Sequence, residues 1–454
     1  MKNKNTFICI ILLVSFIKGL MWLALIPLFD TPDEPVHFDY IQKIAENNKI
    51  FFNKKDKNDI YQSEEVDLTV KYSGLIKGYH SGLDKIDFAA GEIGKNEGRI
   101  NALPPPLRKT NTDISAISTQ YPPLYYLLGS LPYKMFYTDS IITRVFAVRI
   151  FTLLLGLLTI FMVYKIAGLI FGGQKYIPAF IALLVSFNPM YTFISVSVNS
   201  DNLLTLLFTV FLYCYLKIFL TKYKPADVIA LTVVLLLGFF TKQQFALSLI
   251  ILFIPLCFAK EYSLKTKMIG GAAGLFFLIL AVLNLRDNFP VPVFIESLKN
   301  VYVYFSGNFF PFFFADLPVS FYGDFGWLNL LIPPWSSRVL LILTVTCLFF
   351  YILDVYNSIV KRKSFLPLKT HLFLVLPLII YIAGLGYIDC NVKFGLQGRY
   401  FFPVISFLYI ILISGLLSAV EEKKHLKYLS VSAVAAVLFN IYCLAGIILP
   451  RYYL

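Results

Sequence analysis

The chain has 454 residues, 58% hydrophobic and 15% charged, with a formal net charge of +13 and a mean hydropathy of +0.71. That hydropathy excludes an ordinary soluble globular protein, and apolar runs of about 18 residues or more recur along the length, as membrane-spanning helices require. Nor does the basic balance point to nucleic acid: the lysines cluster in short loops between apolar runs, as the positive-inside rule expects, and no nucleic-acid motif is present.

The first run, Phe7 to Leu28, follows Lys2 and Lys4. It is too long for a cleaved signal peptide. It also runs into Asp30-Thr31-Pro32-Asp33-Glu34 instead of a small-residue cleavage site, so it reads as a retained first helix. Lys18 lies in its middle, where an ionisable group is either a functional hint or the partner of another helix. A polar stretch from Asp30 to Tyr121 follows, rich in Lys, Asn, Asp and Gly, and it ends in Tyr121-Pro122-Pro123. Leu124 to Tyr137, broken by Pro132, is moderately apolar.

Parity decides whether that stretch crosses. Without it, spans fall near 145–170, 176–198, 202–220, 226–241, 244–259, 268–285, 337–356, 370–388, 401–419 and 428–448. With the N-terminus inside, Lys175, Lys217, Lys222, Lys224, Lys260, Lys265, Lys267, Lys361, Arg362, Lys363, Lys369, Lys423, Lys424 and Lys427 then all face the cytoplasm. If 124–137 crossed, they would all flip outward, so the stretch is expected to lie as a juxtamembrane helix in the outer interface. The fold class is all-α: a single multi-pass domain over 1–454, with about eleven spans. Segments 30–144 and 286–336 are extracytoplasmic, the second strongly aromatic. Five of the six cysteines lie in apolar runs and Cys390 stands alone in a loop, so neither a disulfide pair nor a metal-ligand spacing is found.

The densest acidic cluster, Asp30, Asp33, Glu34 and Asp39 with His37 among them, comes directly after the first span. One reading is a helix stop with solvated acids. The other is a base at the outer interface, where partial desolvation raises a carboxyl pKa. Asp201, in "SVNSDNLLTLL", opens a later span on the same side and is either an N-cap or a second acid over one cavity. Arg149, Lys242 and Arg399 lie on that side too, as interface anchors or as phosphate-binding cations. A base with phosphate-binding cations suits transfer from a lipid-linked sugar phosphate. Its phosphate leaves without a proton, so only the acceptor hydroxyl needs a base.

These residues also carry a resemblance. "PDEPVHFDY" resembles the first-loop Asp-Glu motif of the GT-C superfamily, the membrane glycosyltransferases that use polyprenyl-phosphate sugars, and is especially similar to its form in protein O-mannosyltransferases. "YPPLYYLL", "TRVFAVRIF" and "VNSDNLL" look like that superfamily's juxtamembrane helix, the Arg-bearing opening of the next helix and the second-loop Asp. In order, "PDEPVHF", "SFYGDFGWLN", "PPW" and "QGRYFFP" resemble a family of predicted membrane proteins catalogued as a domain of unknown function, over nearly the whole chain. The resemblance implies Asp33 as the catalytic acid with Glu34 its neighbour, and Asp201 as the acid that positions substrate or metal. Arg399 and Lys242 follow as donor-phosphate ligands; apart from the resemblance, Arg149 joins them as a third cation on that side, His37, four residues after Asp33, either binds metal or orients the acid or is structural, and Gln397 and Tyr400 beside Arg399 are candidate supporting residues. Tyr121 replaces the usual His or Lys before the Pro-Pro.

The expected partners are a polyprenyl-phosphate sugar donor, a hydroxyl acceptor on an envelope glycan, lipid or protein, and membrane lipid. No cofactor is assigned, and a divalent cation stays open. The alternatives are a transporter or flippase for lipid-linked sugars, against which the absence of a visible repeat counts, and a non-catalytic scaffold of envelope assembly.

Overall fold

In a bilayer the backbone of an apolar segment has no hydrogen-bond partner but itself, so long apolar runs become helices. A computed structural model of the chain describes residues 2–50, 59, 61–73, 94–115, 121–174, 176–221, 224–258, 304, 307, 311–392 and 395–454. The first helix, α1 (Lys2–Leu25), leads into α2 (Glu34–Asn47), whose first turn tolerates Pro35 because its N–H would be orphaned in any case. Next come β1 (Tyr61–Ser63), α3 (Glu64–Tyr72), capped by Ser63, and β2 (Asn111–Ser115), antiparallel to β1 with Tyr61 opposite Ser115. The expected juxtamembrane stretch is α4 (Leu124–Met135), packed between α2 and the long α5 (Ile141–Ile170).

The run expected as one span over 176–198 is broken. Helix α6 (Ile177–Ser186) ends, Asn188 caps α7 (Pro189–Ser195) by accepting from Tyr191 N, and the two axes bend by 67°. Proline at the second helix's first position removes the ladder bond that would have joined the pair. Then follow α8 (Asp201–Leu220), α9 (Pro225–Phe239), α10 (Leu247–Phe258), the short α11 (Leu317–Tyr322), and the antiparallel pair β3 (Asp324–Phe325) and β4 (Leu330–Leu331). The last third holds α12 (Pro334–Ile359), α13 (Leu368–Val392), a 3-10 helix Gly398–Val404, α14 (Ile405–Ser418) and α15 (His425–Cys443).

Among the described residues, seven helices are long and apolar enough to cross a membrane, or eight if the bent pair counts as one. The expected spans 226–241 and 244–259 are present as the shorter α9 and α10, and 268–285 lies outside the described residues. Burial separates centre from rim: 72% and 78% of the apolar stretches running through α8 and α14 are buried, against 11% for α12. The rim helices turn large apolar side chains such as Ile342, Ile352, Val431 and Leu438 outward, as a lipid-facing surface does.

Candidate active site

Helix α1 stops at Ile26-Pro27, and the chain turns back through Phe29 and Asp33, both with φ of 64°. Aspartate tolerates this left-handed conformation better than most residues. Asp33 occupies the N-cap position of α2, yet its side chain makes no capping bond. Instead one carboxylate oxygen, Oδ2, lies 3.0 Å from a terminal nitrogen of Arg399. The Arg399 side chain is 2% exposed and that of Asp33 is 52% exposed. Asp33 is thus about half exposed beside a buried guanidinium.

Arg399 is aimed from the "QGRYFFP" segment. Gly398 N donates to Ser320 Oγ at 3.0 Å, and a Cβ on Gly398 would fall 2.2–2.5 Å from the Ser320–Phe321 backbone. The two aromatic late motifs interlock here, and only glycine permits the approach. On its far side Arg399 Nε faces Asp201 Oδ2 at 4.0 Å, and the other Asp201 oxygen accepts from the Lys242 ammonium. Asp201 is the first residue of α8, where a negative charge suits the helix dipole, and its N–H donates to Asn199 Oδ1 at 2.9 Å.

Lys242 follows α9. Its ammonium lies 5.7 Å from the Tyr121 ring centroid and 5.9 Å from that of Tyr400. Leu124 N donates to Phe240 O at 2.9 Å, which binds the start of α4 to the end of α9 and brings Tyr121 to the lysine. Burial works against the Lys242 charge, but Asp201, with Tyr121 and Tyr400, more than offsets it and holds the pKa above its ordinary value. His37 is buried, shares a 2.8 Å hydrogen bond with the Tyr126 hydroxyl through Nδ1, and stacks on Tyr121 and Tyr126. Burial lowers its pKa to about 4, with Asp33 opposing, so the ring is neutral at neutral pH. Tyr400 lies beneath the Arg399 guanidinium, 5.2 Å from ring centroid to Cζ. Gln397 stands at the N-cap position of the same turn without a side-chain capping bond, and its buried Oε1 has no hydrogen-bond partner among the described residues.

Two expected site residues have a different place. The Arg149 and Glu34 side chains are 0% exposed and pair with each other at 2.6 and 2.8 Å. Arg149 also donates to Ile26 O and Pro27 O, both at 2.9 Å, and Val198 N donates to Glu34 Oε1 at 3.0 Å. Every arm of this guanidinium is engaged, so the phosphate-binding role expected of Arg149 gives way to a clamp on the α1–α2 turn and the segment before Asp201. Glu34 likewise reaches no open surface and supports Asp33 from behind. The missed signal was Arg149 inside an apolar run, since a buried guanidinium demands a carboxylate partner. The sequence also left Tyr121 without a role, whereas its ring faces both Lys242 and His37.

No three His, Cys, Asp or Glu side chains among the described residues are grouped to hold a metal. Asp201 is faced by two cations and Asp33 by one, a donor set that does not suit a divalent ion.

The same helical arrangement occurs in solved structures. An oligosaccharyltransferase from Archaeoglobus fulgidus, in complex with Zn and sulfate, matches with a TM-score of 0.50 and 14% identity over 96% of this chain and 52% of its own. AglB from the same organism, in complex with an inhibitory peptide and a dolichol-phosphate, matches with 12% identity and a TM-score of 0.48, over 99% of this chain and 56% of its own. ArnT from Cupriavidus metallidurans in the apo state matches with 13% identity and a TM-score of 0.45, over 98% and 73%. The chain thus spans about half the length of the first of these, and its fold is of the GT-C type. Residues 16–408 match the family described as predicted membrane protein (DUF2142), to which the chain belongs. No curated protein matches it.

Proposed function

We propose that the protein is an inverting glycosyltransferase that moves a sugar from a polyprenyl-phosphate donor to an acceptor hydroxyl on the extracytoplasmic side of the membrane. The observation that carries this reading is the single guanidinium of Arg399 set between Asp33 and Asp201, with Lys242 on the second acid. A half-exposed carboxylate beside buried cations is what such a transfer needs. Asp33 takes the proton from the acceptor hydroxyl as its oxygen attacks the anomeric carbon. The bond from that carbon to the phosphate oxygen breaks, and Arg399 and Lys242 hold the charge that gathers on the departing phosphate. Asp201 fixes both cations.

An apolar cavity of about 400 Å³, lined by Leu184, Tyr322, Trp335, Leu343, Tyr409 and Phe439, supports a lipid-borne donor. It lies between α6, α12, α14 and α15, and Tyr322 on its wall directly follows the Ser320–Phe321 backbone that braces Gly398. The acceptor falls within envelope glycans, lipids or proteins.

The test is complementation of a deletion strain, with envelope glycans read by mass spectrometry. The wild-type gene restores a missing sugar, and Asp33→Asn, inserted in the membrane at equal amount, fails to. An active Asp33→Asn would rule out the base. A carrier of lipid-linked sugars is the second reading, favoured by the broken α6–α7 pair, since discontinuous helices line many transporter sites. A vesicle flipping assay separates the two.

A further inference from the structure

Four charged side chains meet at the mouth of the bundle, and they balance: Asp33 and Asp201 against Arg399 and Lys242. Both oxygens of Asp201 are faced by a cation, one by the Lys242 ammonium and one by Arg399 Nε at 4.0 Å. Lys242 is not a loose surface lysine. Its side chain is 12% exposed and held between the rings of Tyr121 and Tyr400. His37 shares its Nδ1 with Tyr126, and among the described residues no three His, Cys, Asp or Glu side chains are grouped to hold a metal. A divalent ion at Asp201 would have to displace an enclosed ammonium and sit beside a guanidinium, with like charges repelling on both sides.

We propose that Lys242 is a built-in substitute for a divalent cation at Asp201, so that with Arg399 it holds the charge of the departing phosphate without a metal. The inference rests on the glycosyl-transfer reading above. Its logic is charge conservation. A sugar joined to a lipid through one phosphate carries a single negative charge there, and Asp33 carries another. When the acceptor proton moves to Asp33 and the carbon–oxygen bond to the phosphate breaks, the departing phosphate gains the negative charge that Asp33 loses. With Asp201 counted, three negative charges face the two cations both before and after, so the transfer itself adds no charge that a metal ion would have to offset.

The experiment is manganese binding, followed by electron paramagnetic resonance, on the full chain in nanodiscs of zwitterionic lipid. Wild-type protein is expected to take up no stoichiometric Mn²⁺, while Lys242→Ala binds one ion at least tenfold more tightly than wild type and Lys242→Ala/Asp201→Asn loses it again. Lys242→Arg, which keeps the charge, is expected to behave as wild type. A stoichiometric wild-type site that Asp201→Asn removes would overturn the proposal, and so would a folded Lys242→Ala that gains nothing. Should Lys242→Ala fail to elute as a folded species, Lys242→Gln takes its place under the same criteria. Because Mn²⁺ uptake is read without donor or acceptor, its failure is distinguishable from a failure of glycosyl transfer.

Discussion

Asp33 stands where a helix would ordinarily recruit a cap, in a strained backbone conformation, with its side chain turned to Arg399 instead. A non-glycine residue in the left-handed region costs on the order of 1 kcal/mol and persists only where its surroundings impose it. Here the buried Glu34–Arg149 pair imposes it, by anchoring the residue next in the chain to Ile26 and Pro27. Losing one partner of such a pair costs about 3–5 kcal/mol. His37 gives a pH prediction at the same scale. Its pKa in the folded protein, about 4, lies below the 6.5 of a free imidazole, so the fold prefers the neutral ring. That contribution is complete above pH 6.5, is lost as pH falls from 6.5 toward 4, and is on the order of 3 kcal/mol. Thermal unfolding in nanodiscs should show a midpoint that declines across this window and a smaller decline in His37→Gln; equal slopes would remove His37 as the cause. Asp33, Asp201, Lys242 and Arg399 were legible in sequence because charges that bracket apolar runs on one side have few places to go. The engagement of Arg149 by Glu34 was not, because a pairing 115 residues apart leaves no local trace.

At the scale of elements, the bend between α6 and α7 is held from α1. Lys18 donates to Ser186 O, the carbonyl left at the end of α6, and to Thr192 Oγ1 at 2.8 Å. Asn440 of α15 donates to Phe187 O at 3.2 Å and accepts from Trp22 Nε1 at 3.1 Å. A helix end inside a bilayer has no water to satisfy it, and these side chains supply what water would. This answers the alternative left open for Lys18: it is the partner of another helix. Lys18→Met should lower stability by about 0.5–1.5 kcal/mol, the net worth of a lost hydrogen bond, because Thr192 Oγ1 still donates to Ser186 O at 3.2 Å. Denaturant titration in mixed micelles measures it, and an unchanged midpoint would show the bend to be held by packing alone. Hydropathy averaged over 176–198 hides the break, yet Asn188-Pro189 spells a helix start, a cap followed by a proline at the first position.

For the whole molecule, the all-helical membrane character and the separate short helix α4 were readable, since hydrophobic period and proline placement act along the chain. The joining of the acidic turn to the QGRY segment needed three dimensions, because Gly398 reveals its purpose only against Ser320 and Phe321. The lysine asymmetry makes a topological prediction. Cysteine introduced at Asn48, at the end of α2, should react with an impermeant maleimide on intact cells, whereas one at Lys423 should react only after permeabilisation. The reverse pattern would place the acidic turn in the cytoplasm and exclude an extracytoplasmic acceptor.

Asp33 and Arg399 are 366 residues apart in the chain yet share one hydrogen bond. During synthesis the acid leaves the ribosome and enters the membrane long before its guanidinium exists. Any nascent or clipped chain that stops short of Gly398 therefore carries the Asp33 carboxylate without its counterion. Such fragments hold one half of the pair only, and the pair forms when the turn that carries Arg399 has docked onto the first loop.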